Sequence, residues 1–283
     1  MLFTIFFSIF AHSNIGGKEV RSFWLFLIGL LVCVACDFKW GASDENSGNL
    51  VEIQRYDRLE SKYLTTGDFS SLQQMSTDYP VETRMLIEDV LKLGMVSDQD
   101  INSKLLVFFR DSALQAIIRD AEEQYASMDD LNDGFSRAFT NLREWLPDLQ
   151  VPVIYAQICA LDESIIIGDG LVAISLDKYL GEDYPLYKQY YNDEQRATMT
   201  RDHIIPDALC FYLLSKYHLS NFDVRPQIDR DLHFGKIQWL VNKAVEKNHF
   251  QTDYVKAIDD YMVKDPSMTI ADLMNISDYS VFQ

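Results

Sequence analysis

Ser164-Ile-Ile-Ile-Gly-Asp-Gly-Leu-Val-Ala-Ile-Ser-Leu176 contains two apolar runs that are separated by a Gly-Asp-Gly turn. A short glycine-containing turn between two such apolar runs is typical of a β-hairpin. The segment just before it, residues 151–158, is also rich in β-forming residues. These patterns predict a small β-sheet.

Outside this sheet, apolar residues recur at the three- and four-residue spacing of amphipathic helices. The predicted helices cover residues 80–93, 98–109, 114–125, 131–146, 206–217, 231–246, 251–263 and 269–276. Thr269-Ile-Ala-Asp272 looks like a capping box that opens the last of them. Residues 51–56 alternate between apolar and polar, which predicts one more strand. The fold class is therefore α+β, with a single, mostly helical domain over residues 51–283 around a small β-sheet.

Composition excludes several classes of protein. The chain has 283 residues, with 43 Asp or Glu against 25 Lys or Arg, and its formal net charge is −18. Such a balance argues against nucleic acid as a partner, because binding phosphates requires clustered basic side chains. An apolar share of 48% argues against intrinsic disorder, and four cysteines are too few for a disulfide scaffold.

The N-terminal part reads as an export signal. Lys18 and Arg21 precede the uncharged run of residues 23–34, and Ala35-Cys36 follows directly. Positive charge, a short apolar segment and a small residue before the cleavage point are the features of a secretory signal, and the run is too short for a transmembrane helix. Cysteine directly after the small residue indicates a bacterial lipoprotein site. A plain signal peptide or an uncleaved membrane anchor remain as alternatives.

The lipoprotein hypothesis divides the N-terminal part into two segments. Residues 1–35 are a lipoprotein signal peptide, and Cys36 receives the lipid and becomes the new first residue. Residues 36–50 then form a flexible tether rich in small polar residues. We expect a protein of the cell envelope that is held to a membrane, most simply the outer membrane, by its N-terminal lipid anchor.

Recognised catalytic motifs are absent from the sequence. It contains no His-Glu-x-x-His, no Gly-x-Ser-x-Gly and no phosphate-binding loop. Asp207 and His233 are the remaining candidates for a metal site or a proton relay. An acidic residue in a first turn also complements the helix dipole, and a lone His on an apolar helix face is usually a core residue. We therefore expect neither a cofactor nor catalysis, and the metal site is kept as an alternative.

A tyrosine-rich segment is the other candidate site. Between residues 179 and 191 lie five tyrosines, namely Tyr179, Tyr184, Tyr187, Tyr190 and Tyr191. One hypothesis is a stacking surface for a glycan or a docking patch for a partner. The other is a loop that wraps the sheet with half-buried rings.

Four sequence blocks resemble the gliding-motility lipoprotein GldB family of Bacteroidetes. The densest is Asp169-Gly-Leu-Val-Ala-Ile-Ser-Leu-Asp-Lys-Tyr-Leu-Gly-Glu-Asp-Tyr184, which contains a Leu-Asp-x-Tyr-Leu-Gly motif. His203-Ile-Ile-Pro-Asp-Ala-Leu209 resembles the next block of that family, and Arg55-Tyr-Asp57 and Gly235-Lys-Ile237 resemble an earlier and a later one. The resemblance covers about residues 51 to 247. It indicates a shorter, divergent member.

The resemblance implies both a fold and a function. The family is itself similar to zincin-like peptidases, although the helix at Pro206 carries no zinc motif here. By resemblance, the chain is a non-catalytic, lipid-anchored envelope protein that works as a component or partner of the gliding-motility or type IX secretion machinery, with other envelope proteins as partners. The alternatives are a divergent metal-dependent hydrolase that uses Asp207 and His233, and a glycan-binding lipoprotein that uses the five tyrosines.

Overall fold

The structure is a computed structural model, and it describes residues 51–283. The predicted signal peptide, Cys36 and the tether lie outside the described residues. Residues 51–283 belong to one compact unit. That unit is mostly helical around one small sheet, so the predicted α+β class is confirmed.

The sheet has three strands, β1 (Val153–Gln157), β2 (Ile165–Ile167) and β3 (Leu171–Ser175), in the order β1-β3-β2. β2 and β3 pair antiparallel, as the hairpin prediction required, with Ile166 opposite Ala173. β1 pairs parallel to β3, with Tyr155 opposite Ala173. β3 is therefore the central strand, and its residues 172–175 are buried.

Helices surround this sheet. In chain order they are α1 (Tyr56–Thr66), α2 (Phe69–Asp78), α3 (Pro80–Arg84), a π-helical turn (Met85–Val90), α4 (Ile101–Phe108), α5 (Ser112–Gln124), α6 (Asp129–Trp145), α7 (Tyr187–Tyr190), α8 (Asp193–Ala197), α9 (Ile204–Lys216), α10 (Gln227–Ala244), α11 (Asp253–Lys264) and α12 (Ile270–Asn275). Thr269 and Asp272 form the predicted capping box at the start of α12.

The strand predicted over residues 51–56 is wrong. A single parallel bridge joins Gln54 to Tyr155 of β1, and α1 begins at Tyr56. The backbone N–H of Val51 donates to Ser136 Oγ (2.8 Å), and that of Ile53 donates to the Asn132 side chain. Since these donors are satisfied by side chains of α6, the segment is extended without forming a sheet strand.

Helix α9 positions the candidate site. It packs against β2, β3 and α10, and α10 in turn packs closely on α11. The first turn of α9 therefore lies near the residues that follow β3. None of the helices described between residues 51 and 283 combines the length and hydropathy that crossing a membrane requires.

Candidate functional site

Asp177, which directly follows the sheet, fixes the turn after β1. Its carboxylate accepts hydrogen bonds from the backbone N–H groups of Cys159 (3.0 Å) and Leu161 (2.6 Å). Ala160 and Leu161 have φ values of 57° and 67°, which non-glycine residues rarely adopt. Burial raises the pKa of Asp177, and the two N–H groups oppose that shift. One buried carboxyl group thus holds a strained turn in place.

A second buried carboxyl group lies on the other side of the same turn. Glu60 of α1 accepts a hydrogen bond from the N–H of Ile158 (2.8 Å), and its other oxygen has no partner among the described residues. Burial raises the pKa of Glu60 well above its usual value, and the nearby carboxyl groups of Asp177 and Asp57 raise it further. Burial and the neighbouring carboxyl groups thus favour the protonated form of Glu60, while the hydrogen bond from Ile158 opposes them.

Asp207 pairs with the first of the five tyrosines. It lies in the first turn of α9, directly after Pro206, and its Oδ2 accepts a hydrogen bond from the hydroxyl of Tyr179 (3.0 Å). Burial raises the pKa of Asp207 to about 7, and the hydrogen bond from Tyr179 opposes the shift. Cys210 lies one turn further along the helix, and burial together with Asp207 raises the pKa of its thiol to about 12.

The pair belongs to a longer hydrogen-bond network. The hydroxyl of Tyr125 donates to the carbonyl of Tyr179 (2.6 Å), and the carbonyl of Tyr125 accepts from the guanidinium of Arg55 (2.8 Å). Arg55 also makes a two-point contact with Asp57, at 2.9 and 2.8 Å. The network therefore runs from Asp57 through Arg55, Tyr125 and Tyr179 to Asp207. The sequence blocks 55–57, 169–184 and 203–209, three of the four described above, each contribute a residue to this network.

The tyrosine-rich segment does not present a continuous face to solvent. Tyr179 and Tyr187 are fully buried, Tyr184 and Tyr191 are partly buried, and only Tyr190, at 69%, is exposed among the five. The ring of Tyr187 packs edge to face against the rings of both Tyr184 and Tyr191.

The hydroxyls of this segment also find partners within the protein. Tyr184 donates to Asp120 (2.7 Å), and Tyr191 donates to the carbonyl of Leu161 (3.1 Å). Tyr187 donates to the carbonyl of Asp177. The segment thus fastens the residues after β3 to α5 and to the turn after β1.

His233 lies apart from Asp207 in its contacts. It is buried in α10, and its Nδ1 is 2.7 Å from the hydroxyl of Tyr279. Burial, and secondarily the positive charge of Lys236, lower the pKa of His233 to about 4. Asp207 and His233 share no hydrogen bond or ion pair in the part of the chain that the structure describes. Within residues 51–283, no group of three or more His, Cys, Asp or Glu side chains is placed to hold a metal ion.

The two cysteines of the described part are both buried and unpaired. The thiol of Cys159 donates to the carbonyl of Glu163 (2.8 Å) inside the turn that Asp177 holds. Cys210 lies on α9, about one turn after Asp207. Burial raises the pKa of both thiols, so neither is activated as a nucleophile at neutral pH.

Comparison with known proteins places these motifs in a family. A family model described as gliding motility protein GldB matches residues 42–254, which is more than half of the chain. The chain belongs to the GldB family. No curated protein and no solved structure matches it. In this GldB-family chain, every member of the network from Asp57 to Asp207 lies inside the matched range.

Several important residues escaped the sequence analysis. Asp177 and Glu60 were not singled out, although Asp177 is the acidic residue of the Leu-Asp-x-Tyr-Leu-Gly motif. The buried Lys236 was seen only as part of the later GldB-like block. The available signal for Asp177 was its place directly after the apolar run that ends at Leu176, because a carboxyl group so close to a buried strand needs partners for its oxygens. Nothing local in the sequence marks Glu60 as buried.

Proposed function

We propose that this GldB-family protein is a non-catalytic envelope protein, anchored by a lipid on Cys36, that works as a component or partner of the gliding-motility or type IX secretion machinery. The observation that carries the proposal is the match to the GldB family over residues 42–254. It is joined by the Ala35-Cys36 signal, which directs lipidation and export.

The network supports an architectural role for the family motifs. The side chains of Arg55, Asp57, Tyr179 and Asp207 all point to partners within the protein. A catalytic centre needs reactive groups that can reach a substrate. In this protein the motif residues connect α1, α5, α9 and the segment after β3, so they hold in place the surface that partners meet.

The charge of the chain supports anchoring by lipid. A protein with a net charge of −18 is repelled by anionic headgroups, so basic residues cannot supply the attachment. Each buried methylene of an acyl chain contributes about 0.8 kcal/mol, and two or more chains give stable attachment. The tether then lets the domain reach its partners from the membrane surface.

Metabolic labelling tests the anchor. Cells that express the full chain are grown with labelled palmitate, and the protein is isolated from membranes. We expect label in the wild type and in the control Cys33→Ala, and none in Cys36→Ala. Label that persists in Cys36→Ala, or a wild-type protein found unlabelled in the cytosol, would contradict the proposed anchor.

A deletion in the native host tests the role. Loss of the gene should abolish spreading on surfaces and reduce the export of cell-surface adhesins, and the wild-type gene should restore both. The Cys36→Ala gene should restore neither, while Cys33→Ala should restore both. Normal spreading and normal adhesin export in the deletion strain would refute the role in this machinery and leave the anchor to be judged by labelling alone.

A further inference from the structure

A cavity lined by basic side chains lies at the far end of α9 from Asp207. It has a volume of about 220 Å³ and is bounded by the end of α9, by α10 and by the residues after α12. Five basic residues line it, namely Lys216, His218, Arg225, His233 and Lys236, and no Asp or Glu does. This concentration is unexpected in a chain in which 43 Asp and Glu outnumber 25 Lys and Arg.

No carboxylate of residues 51–283 forms an ion pair with Lys236. Its side chain is 1% exposed, and its ammonium contacts the carbonyls of Ile276 (3.0 Å) and Met274 (3.4 Å). The ring of Tyr279 lies 5.0 Å away. These groups carry only partial negative charge, and a buried ammonium without an anionic partner is costly. Burial lowers the pKa of Lys236 to about 8, so most of the amine is still protonated at neutral pH.

A second buried group in the same cavity also lacks a partner. The Nε2 atom of His233 has no hydrogen bond among the described residues. Its other ring nitrogen already contacts the hydroxyl of Tyr279, and the backbone of Tyr217 lies near the ring. An unpaired ring nitrogen and an uncompensated ammonium thus line one small space.

The acidic residues around the cavity do not supply the missing charge. Asp229 forms an ion pair with Arg225 at 3.3 Å, and Asp278 accepts hydrogen bonds from Ser280. Neither makes a contact with Lys236. Asp229 therefore neutralises the charge of Arg225 at the rim, and the ammonium of Lys236 inside the cavity is not neutralised by either carboxylate.

We propose that this cavity is a binding site for a small oxyanion, the carboxylate or phosphate group of a small molecule, with Lys236 as its main charged contact. The ligand supplies the counter-ion that residues 51–283 do not provide, and Lys216 and His218 lie at the exposed edge where it enters. The site is independent of the lipid anchor and of the proposed role in motility, because it rests on residues of α9, α10 and the segment after α12 alone.

Calorimetric titration and thermal unfolding of the full chain in detergent test the site. The probes are inorganic phosphate and acetate, each added at constant ionic strength against sodium chloride at neutral pH. We expect saturable binding and a rise in melting temperature with at least one of them, and the stronger probe identifies the phosphate or the carboxylate class. Replacement of Lys236 by Met, which keeps the apolar stem, should weaken binding about tenfold or more.

Two further variants complete the comparison. Lys216→Gln, at the exposed edge, should weaken binding by about threefold. Lys243→Met, on the same helix but outside the cavity, should bind like the wild type. If Lys236→Met does not fold, Lys216→Gln carries the comparison, and unchanged affinity in that variant overturns the proposal. Failure of both anions to bind the wild type, or equal binding by a folded Lys236→Met, shows that Lys236 only caps the end of α12 and also overturns it.

Discussion

Replacement of Asp207 by Asn should remove a pH-dependent loss of stability. Burial raises the pKa of Asp207 from 3.8 to about 7. The folded protein therefore binds more protons than the unfolded chain between these values, and the free energy of unfolding falls as the pH rises through that window. Asn cannot ionise, and its side-chain oxygen can still accept the hydrogen bond from Tyr179.

The size of the effect follows from the shift. A change of about three pKa units corresponds to about 4 kcal/mol, because each unit is worth about 1.4 kcal/mol. Since the side chain of Asp207 keeps some solvent contact, we expect about 2 to 4 kcal/mol. Asp207→Asn should thus be close to the wild type in stability near pH 4 and more stable than it by about this amount near pH 8.

Urea unfolding followed by circular dichroism at several pH values measures the difference. The control is Asp202→Asn, because Asp202 is exposed and its ion pair among the described residues is with the exposed Lys247 at 3.2 Å. Its difference from the wild type should stay within about 0.5 kcal/mol at each pH. General effects of net charge cancel when the two variants are compared. If Asp207→Asn and the wild type lose stability equally as the pH rises, the buried carboxyl group is not the cause and the reasoning fails.

Two other substitutions test the packing around the family motifs. Asp177→Ala removes the acceptor for the N–H groups of Cys159 and Leu161, so it should lower the free energy of unfolding by about 3 to 5 kcal/mol in urea denaturation, with Asp177→Asn less affected. A loss below about 1 kcal/mol in Asp177→Ala would show that the turn does not depend on this carboxylate. Gly235→Ala places a methyl group 2.6 Å from Cβ of Tyr254, and a destabilisation of about 1 to 3 kcal/mol in thermal unfolding should outweigh the gain in helix propensity. A variant as stable as the wild type would mean that α10 and α11 move apart easily.

Elements with a strong repeating pattern were predictable from the sequence. The hairpin of β2 and β3 and the amphipathic helices α5 and α6 were found because their apolar residues repeat with the period of the element. Helices α1 and α2 were missed, since α2 is rich in Ser and Gln and buries only Ser71, Leu72 and Met75. The wrong strand over residues 51–56 has a different cause. Its alternation reflects burial against α6, and period alone does not specify a pairing partner.

The candidate site was less predictable than the fold. Asp207 was singled out from its place in a first turn, but its partner Tyr179 lies 28 positions earlier, and no local pattern relates the two. Glu60 contacts the turn after β1, and Lys236 contacts the segment at the end of α12, and both of these lie far away in the sequence. Polar residues of this kind are ordinary in a helical sequence, so only the tertiary structure distinguishes them.

The two buried thiols, Cys159 and Cys210, make local unfolding of the domain measurable by alkylation. A maleimide can reach such a group only in molecules whose interior has transiently come apart, so the rate of alkylation reports the frequency of these events. If Cys36 is acylated as proposed, it has no free sulfhydryl to compete for the reagent. The natural sequence can therefore be followed in living cells, without an engineered probe, to ask whether contact with other envelope proteins makes the domain open less often.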